Sequence, residues 1–144
     1  LIGTIGQAKG NPYSGHKLYN ETCGKCHTLF GKGGKIGPDL TTYKRDDLRG
    51  MLPNVVTPSA EIREGFENFV ARTSDGRLIT GLLADQDPSI VVIRGSDGQN
   101  ISLSRTDIED LRAIRTSLMP EGQLKTLTDQ QIRDLFAFLQ SGAN

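Results

Sequence analysis

Residues 23–27 read Cys23-Gly24-Lys25-Cys26-His27, a C-x-x-C-H run that holds both cysteines of the chain and one of its two histidines. Two thiols three positions apart on a helical turn can each add to a vinyl group of a haem. The adjacent imidazole then offers Nε2 to the iron from below the ring. This spacing is the attachment pattern of c-type haem. Three other chemistries use the same residue types and fit less well. Zinc needs four ligands, and with only His16 left over, the spacing is unlike the usual C-x2-C…H-x3-5-H site. A thioredoxin-like redox pair follows a strand in a βαβ unit, whereas Ser14 to Thr22 reads as helix. A disulfide across two intervening residues would be strained and would close almost no loop.

The 144 residues are enough for one domain, or one domain with a subdomain. The apolar share rises from 35% to roughly 45% once Gly is counted and Tyr left out, normal for a globular chain. No apolar run approaches the roughly 18 residues of a transmembrane helix. Lys and Arg total 17 and Asp and Glu total 17, with no basic block, which argues against nucleic acid as a partner and gives no strong steering patch. There is no Trp, with 3 Tyr and 5 Phe, so few large rings are available to fill a core. A covalently held haem would supply the missing flat apolar body.

Tyr13 to Thr22 is expected to form a helix leading into the motif, with Gly15 and Tyr19 on one face. Leu29 to Thr42 reads as loop because Gly31, Gly33, Gly34, Gly37 and Pro38 interrupt regular structure. A short helix is predicted over Arg45–Leu52, with Asp46 and Asp47 in its first turn and Pro53 at its end. The last helix opens on the capping box Thr128-Asp129-Gln130-Gln131, carries Ile132, Leu135, Phe136 and Leu139 at helical spacing, and stops at Ser141-Gly142. Between these, the pattern turns to short β-type runs: Phe66–Thr73, Leu78–Ala84, Ile90–Arg94, Asn100–Ser104 and Ile108–Ile114. Asp75-Gly76 and Asp97-Gly98 are expected to be type I′ hairpin turns, and Asp87-Pro88 a third turn. A meander of four or five strands, or a small closed barrel, is the expected product. It holds no His, Cys or Tyr and no phosphate loop, so it reads as a structural insert, with docking of a partner as the other role.

A second axial ligand decides between electron transfer and ligand chemistry at a haem iron. The candidates are His16, Met51 and Met119. His16 stands seven residues before Cys23 on the same short helix, too near to reach the far face of the ring. Met51 sits beside Leu52 on an apolar helix edge and reads as core filler. Met119 stands in Ser117-Leu118-Met119-Pro120-Glu121-Gly122, where Pro and Gly fix the backbone and present the side chain.

Together these segments resemble a class I cytochrome c domain. The matching motifs are Gly15-x-x-x-Tyr19-x-x-x-Cys23-x-x-Cys26-His27, then Gly37-Pro38-Asp39-Leu40, the Met119-Pro120 loop and the closing Leu135-Phe136-Ala137-Phe138-Leu139. More narrowly, the chain is similar to the haem-binding domain common in planctomycetes and verrucomicrobia, which joins the GPDL segment to a β insert and a Ser-x-Met-Pro-Glu-Gly loop. His27 and Met119 are 92 positions apart, longer than a compact class I domain suggests, and the insert accounts for the excess.

The resemblance implies an α+β fold. A mainly α cytochrome core (about 12–65 and 116–141) would have its first and last helices crossing, with an inserted β subdomain at 66–114, vaguely like an SH3- or Sm-type barrel. It implies one covalent haem c with Cys23 and Cys26 as thioether residues, His27 proximal and Met119 distal. The Pro38 carbonyl would accept from His27 Nδ1–H, and Leu40 and Leu118 would pack on the ring. The implied function is one-electron transfer rather than enzymatic catalysis, with no catalytic residues. The carrier would be a periplasmic shuttle or the electron-accepting domain of a larger oxidoreductase, since such domains are often fused to dehydrogenase-like or repeat modules. Its partners would be a dehydrogenase donor and an oxidase or cytochrome acceptor. The rival is a peroxidase or gas sensor with an open sixth site; a third reading makes the barrel a binding module. Haem attachment of this kind occurs outside the cytoplasm. The start Leu1-Ile2-Gly3-Thr4-Ile5-Gly6 lacks a basic stretch and a long apolar stretch, so a mature, trimmed or excised chain is expected.

Overall fold

The computed structural model describes residues 1–142, in two compact units. The first comprises Leu1–Pro58 and the chain from Glu121, and the second is Ser59–Pro120. Among the described residues all four α-helices lie in the first unit, namely α1 (Ile2–Gly6), α2 (Pro12–Glu21), α3 (Leu48–Val56) and α4 (Asp129–Leu139). Two short strands, β1 (Thr28–Leu29) and β2 (Lys32–Gly33), join them there. The second unit holds β3 (Asn68–Thr73), β4 (Leu78–Gln86), β5 (Ile90–Arg94), β6 (Asn100–Ser104) and β7 (Ile108–Ile114). A mainly α description therefore suits the first unit alone.

α2 starts where Pro12 occupies the first helical position and the Asn11 side chain accepts from the N–H groups of Tyr13 and Ser14. α4 starts with the capping box: Thr128 Oγ1 accepts from Gln131 N–H, and the Gln131 side chain accepts from Thr128 N–H. The two helices meet nearly backbone to backbone. A Cβ on Gly15 would stand 1.8 Å from the Asp134 carbonyl oxygen, so only glycine fits. The Asp134 side chain, buried, accepts from Asn11 N–H at 2.7 Å and from Gln130 Nε2 at 2.9 Å, tying the start of α2 to α4. Around this crossing Tyr19, Leu29, Leu52, Leu124, Ile132, Leu135, Phe136 and Leu139 form the core.

Three local expectations are corrected. α3 spans Leu48–Val56 rather than Arg45–Leu52, and Pro53 lies inside it instead of ending it. Asp47 is its cap, accepting from Gly50 N–H at 3.1 Å, and the packing of Met51, Leu52 and Val55 into the core carries the helix past the proline. The glycine-rich stretch contains a hairpin, β1–β2, because Phe30 (φ 52°) and Gly31 (φ 80°) supply the two positive φ values of a tight turn. At Asp75-Gly76 and Asp97-Gly98, by contrast, only the glycines have positive φ, so neither turn is type I′. Each hairpin there closes a three-residue loop, with Gly76 N–H bonded to Thr73 O and Gly98 N–H to Gly95 O.

The five long strands form one antiparallel sheet in the order β6-β5-β4-β3-β7. Ala71, Ile79, Val91, Ile93 and Leu103 make its core, with Leu83, Ile108 and Leu111 against it. Among the described residues β6 and β7 do not pair, so the sheet does not close into a barrel. The unit is wider than the five strands, because Ser117 N–H donates to Ser59 Oγ at 3.0 Å and draws both flanks in. The zero net charge is also unevenly shared: all seven lysines belong to the first unit and ten of the seventeen acidic residues to the second. A balanced total is thus no sign of a weakly charged surface.

Gly15→Ala should destabilise the protein by about 3 kcal/mol in denaturant unfolding, since the methyl group must push α2 off α4. Gly6→Ala, with nothing within 4 Å of the added carbon, should leave the midpoint unchanged or slightly raised.

Candidate functional site

α2 ends at Thr22, and the chain tightens into a 3₁₀ turn at Cys23–Lys25. His27 N–H closes this segment on Cys23 O at 2.9 Å, so both cysteines and the histidine leave one turn. Both thiols are free and half-buried. Burial pushes the Cys23 thiol up, against the opposing hydrogen bond from Thr22.

The glycine-rich segment folds back over this turn. Gly34 N–H donates to Gly24 O, and the Cys26 carbonyl accepts from both Ile36 and Gly37. Side chains would block this wrapping: a Cβ at Gly34 would lie 2.0 Å from Lys25 O, and one at Gly37 would lie 2.4 Å from His27 Cε1. The glycines that read in the sequence only as loop formers therefore hold the motif at van der Waals range. The signal for this is their density, four in the seven residues 31–37 that follow the motif.

His27 is oriented at three points. Its Nδ1 lies 2.7 Å from Pro38 O, and a carbonyl can only accept, so Nδ1 carries the proton. Gly37 presses on the ring. The Tyr19 hydroxyl donates to His27 O at 3.1 Å, reaching from α2 to fix the histidine's backbone. Burial lowers the imidazole's pKa, against the Pro38 hydrogen bond, so the ring is held neutral. Nε2 has no partner among the described residues and keeps its lone pair, which is the form of histidine that binds a metal.

Cys23 and Leu40 pack with Phe30, Leu48 and Met51 against the first unit's core. Met51 is thus half-buried in the core, as a filler would be. His16 is exposed but not simply solvated, for its ring stacks on Phe138 with centroids 4.5 Å apart. Leu118 and Met119 belong to the second unit, where both are half-buried and Met119 N–H donates to Ser117 Oγ at 3.1 Å. The first unit brings together Cys23, Cys26, His27, Pro38 and Leu40, and the second holds the methionine loop. Two contributors that the sequence reading did not single out for the site are Tyr19, as an anchor of His27, and Arg45, which joins the loop to α4.

These residues fit a haem. Two free thiols flank one turn, the next residue is a neutral imidazole bonded at one nitrogen and free at the other, and the neighbours are apolar. No helix among the described residues is long and apolar enough to cross a membrane. A family model described as Cytochrome c matches residues 13–92, just over half of the chain. A search of curated proteins finds no match.

Burial raises the Tyr19 phenol from 10 to about 12, with Cys23 and Asp39 adding to the effect. The folded state thus holds this proton longer than the unfolded chain does, and the associated stability is full below pH 10 and lost as pH climbs toward 12. Tyr19→Phe should abolish the phenolate absorbance step near pH 12 and flatten the alkaline loss of stability. At neutral pH it should cost about 1 kcal/mol for the hydrogen bond to His27 O.

Proposed function

The chain belongs to the cytochrome c family of haem-binding electron-transfer proteins, and on that premise we propose that it is a one-electron carrier with a single covalent haem c. Cys23 and Cys26 form the thioethers, His27 is the proximal ligand and Met119 the distal one. The observation that carries this reading is the imidazole of His27, adjacent to two free thiols and held through Nδ1 on Pro38 O with Nε2 left free.

The bound haem supplies a couple between Fe(III) and Fe(II). The chain's own work is to orient, shield and hold. Pro38 fixes the tautomer and strengthens Nε2 as a donor. Tyr19 and the Gly33–Gly37 wrap keep the histidine from swinging between oxidation states, so little structure has to reorganise. A thioether from Met119 favours Fe(II) and sets a higher potential than a second histidine would. Ser117 and Pro120 brace the backbone on either side of that methionine, Ser117 through the bond to Met119 N–H.

The strands at 66–114, within the second unit, are an inserted β subdomain between the motif and the methionine loop, as in the planctomycete and verrucomicrobial haem-binding domain. It serves as scaffold or as a surface for redox partners. Those partners are a dehydrogenase donor and an oxidase or cytochrome acceptor, met outside the cytoplasm. No catalytic residue is assigned, and the protein is a carrier rather than an enzyme.

A pyridine haemochrome assay with intact mass should show one haem bound covalently, and Cys23→Ala with Cys26→Ala should abolish it. The ferric protein should be low-spin with a weak methionine–iron charge-transfer band that disappears in Met119→Ala. A high-spin wild type that binds CO rapidly when reduced would overturn the carrier in favour of an open-site peroxidase or sensor.

A further inference from the structure

Two stretches of chain run side by side from the imidazole of His27, and the contacts between them follow one another without a gap. Pro38 O accepts from His27 Nδ1 at 2.7 Å. Leu40 N–H donates to Thr28 O at 2.8 Å. Phe30 N–H donates to Thr41 Oγ1 at 2.9 Å. The Arg45 guanidinium then stands 4.7 Å over the centroid of the Phe30 ring. Its Nη1 donates to the carbonyl oxygens of Leu139 and, at 2.9 Å, Ser141, at the C-terminal end of α4. Those last carbonyls of a helix lack partners within it, and a guanidinium suits both their hydrogen-bonding capacity and the negative end of the helix dipole.

Two features show that this arrangement is held rather than relaxed. Phe30 is the only non-glycine among the described residues with positive φ, which is unusual for a bulky side chain and persists only where the surroundings impose it. Arg45 Nε is buried with no partner, so the ring and the helix carbonyls position the guanidinium at the expense of one of its own donors.

We propose that Arg45 is a positioning residue for the proximal imidazole. By clasping the 38–45 segment to α4 and to Phe30, it keeps the Pro38 carbonyl on Nδ1–H and thereby sets the donor strength of Nε2 and the reduction potential of the iron. This rests on the haem reading above. A firmly held Nδ1–H makes Nε2 a stronger donor and favours Fe(III), so loosening the clasp raises the potential.

The test compares Arg45→Ala, Arg45→Lys and Thr41→Val with Arg133→Ala in the haem-loaded protein. Arg133 also belongs to α4, but its Nε donates to Thr4 O, away from the clasp. Arg45→Ala and Thr41→Val should raise the potential and speed amide hydrogen exchange at Leu40 by about tenfold, the equivalent of one broken hydrogen bond. Arg45→Lys should recover part of both effects, because an ammonium reaches one carbonyl but does not stack on Phe30. Arg133→Ala should lower thermal stability while leaving the potential and the Leu40 exchange as in wild type. The proposal is overturned if Arg45→Ala costs stability without moving the potential, or if Arg133→Ala moves it equally. Should Arg45→Ala fail to fold, Arg45→Lys and Thr41→Val decide. A wild type without haemochrome bands defeats the haem reading instead, and the Leu40 exchange rates still test the clasp.

Discussion

The hydrogen bond between His27 Nδ1 and Pro38 O is the interaction on which the site depends. An imidazole offers one nitrogen to a metal only if the other has somewhere fixed to put its proton. A backbone carbonyl serves this better than a side chain, because it cannot rotate away and cannot be protonated. Holding that carbonyl in place requires the segment from Gly33 to Leu40 to lie flat against the motif, and this requires Gly34 and Gly37 to lack side chains. Burial keeps the ring neutral at the same time. The local geometry therefore serves a single lone pair on Nε2.

Behind the motif, the crossing of α2 and α4 gives the turn a rigid base. The glycine at position 15 lets the two backbones meet, and the meeting brings Asp134 onto the first amide ahead of α2. Tyr19, four residues on from Gly15, is then buried under α4 with its hydroxyl aimed at the histidine's carbonyl. A helix–helix contact is thus transmitted to the orientation of His27 through one phenol. The same chain of dependence operates from the other end of α4, where Arg45 draws the downstream loop onto the last carbonyls.

Much of this was legible in the residues because it is local. Short β-type runs bounded by turn signals locate all five long strands to within about two residues, since a run and the turn beside it are only a few positions apart. The capping box at Thr128 marked the start of α4 because both of its bonds span three residues. The misreadings also have physical causes. Pro53 looks like a helix terminator in isolation, but the packing of Met51, Leu52 and Val55 against the core outweighs one missing hydrogen bond. The Asp-Gly pairs suggest a type I′ turn, but their loops are three residues long, and loop length selects the turn type. Phe30-Gly31 carries no hairpin signal in the sequence, because composition does not suggest a phenylalanine in left-handed backbone.

By itself the sequence determined the chemistry of the C-x-x-C-H turn, the cap of α4, the strand spans and the family resemblance, all of which depend on neighbours a few positions apart. Only the tertiary structure decided that Asn11 meets Asp134, that Arg45 meets Leu139 and Ser141, and that Ser59 meets Ser117 and widens the second unit. Those partners are 58 to 123 positions apart, and a donor leaves no mark in the sequence of the acceptor it will find. The pairings exist because packing the apolar faces of α2 and α4, and of the sheet, carries polar groups into low dielectric, where each must be bonded to whatever the fold has placed beside it.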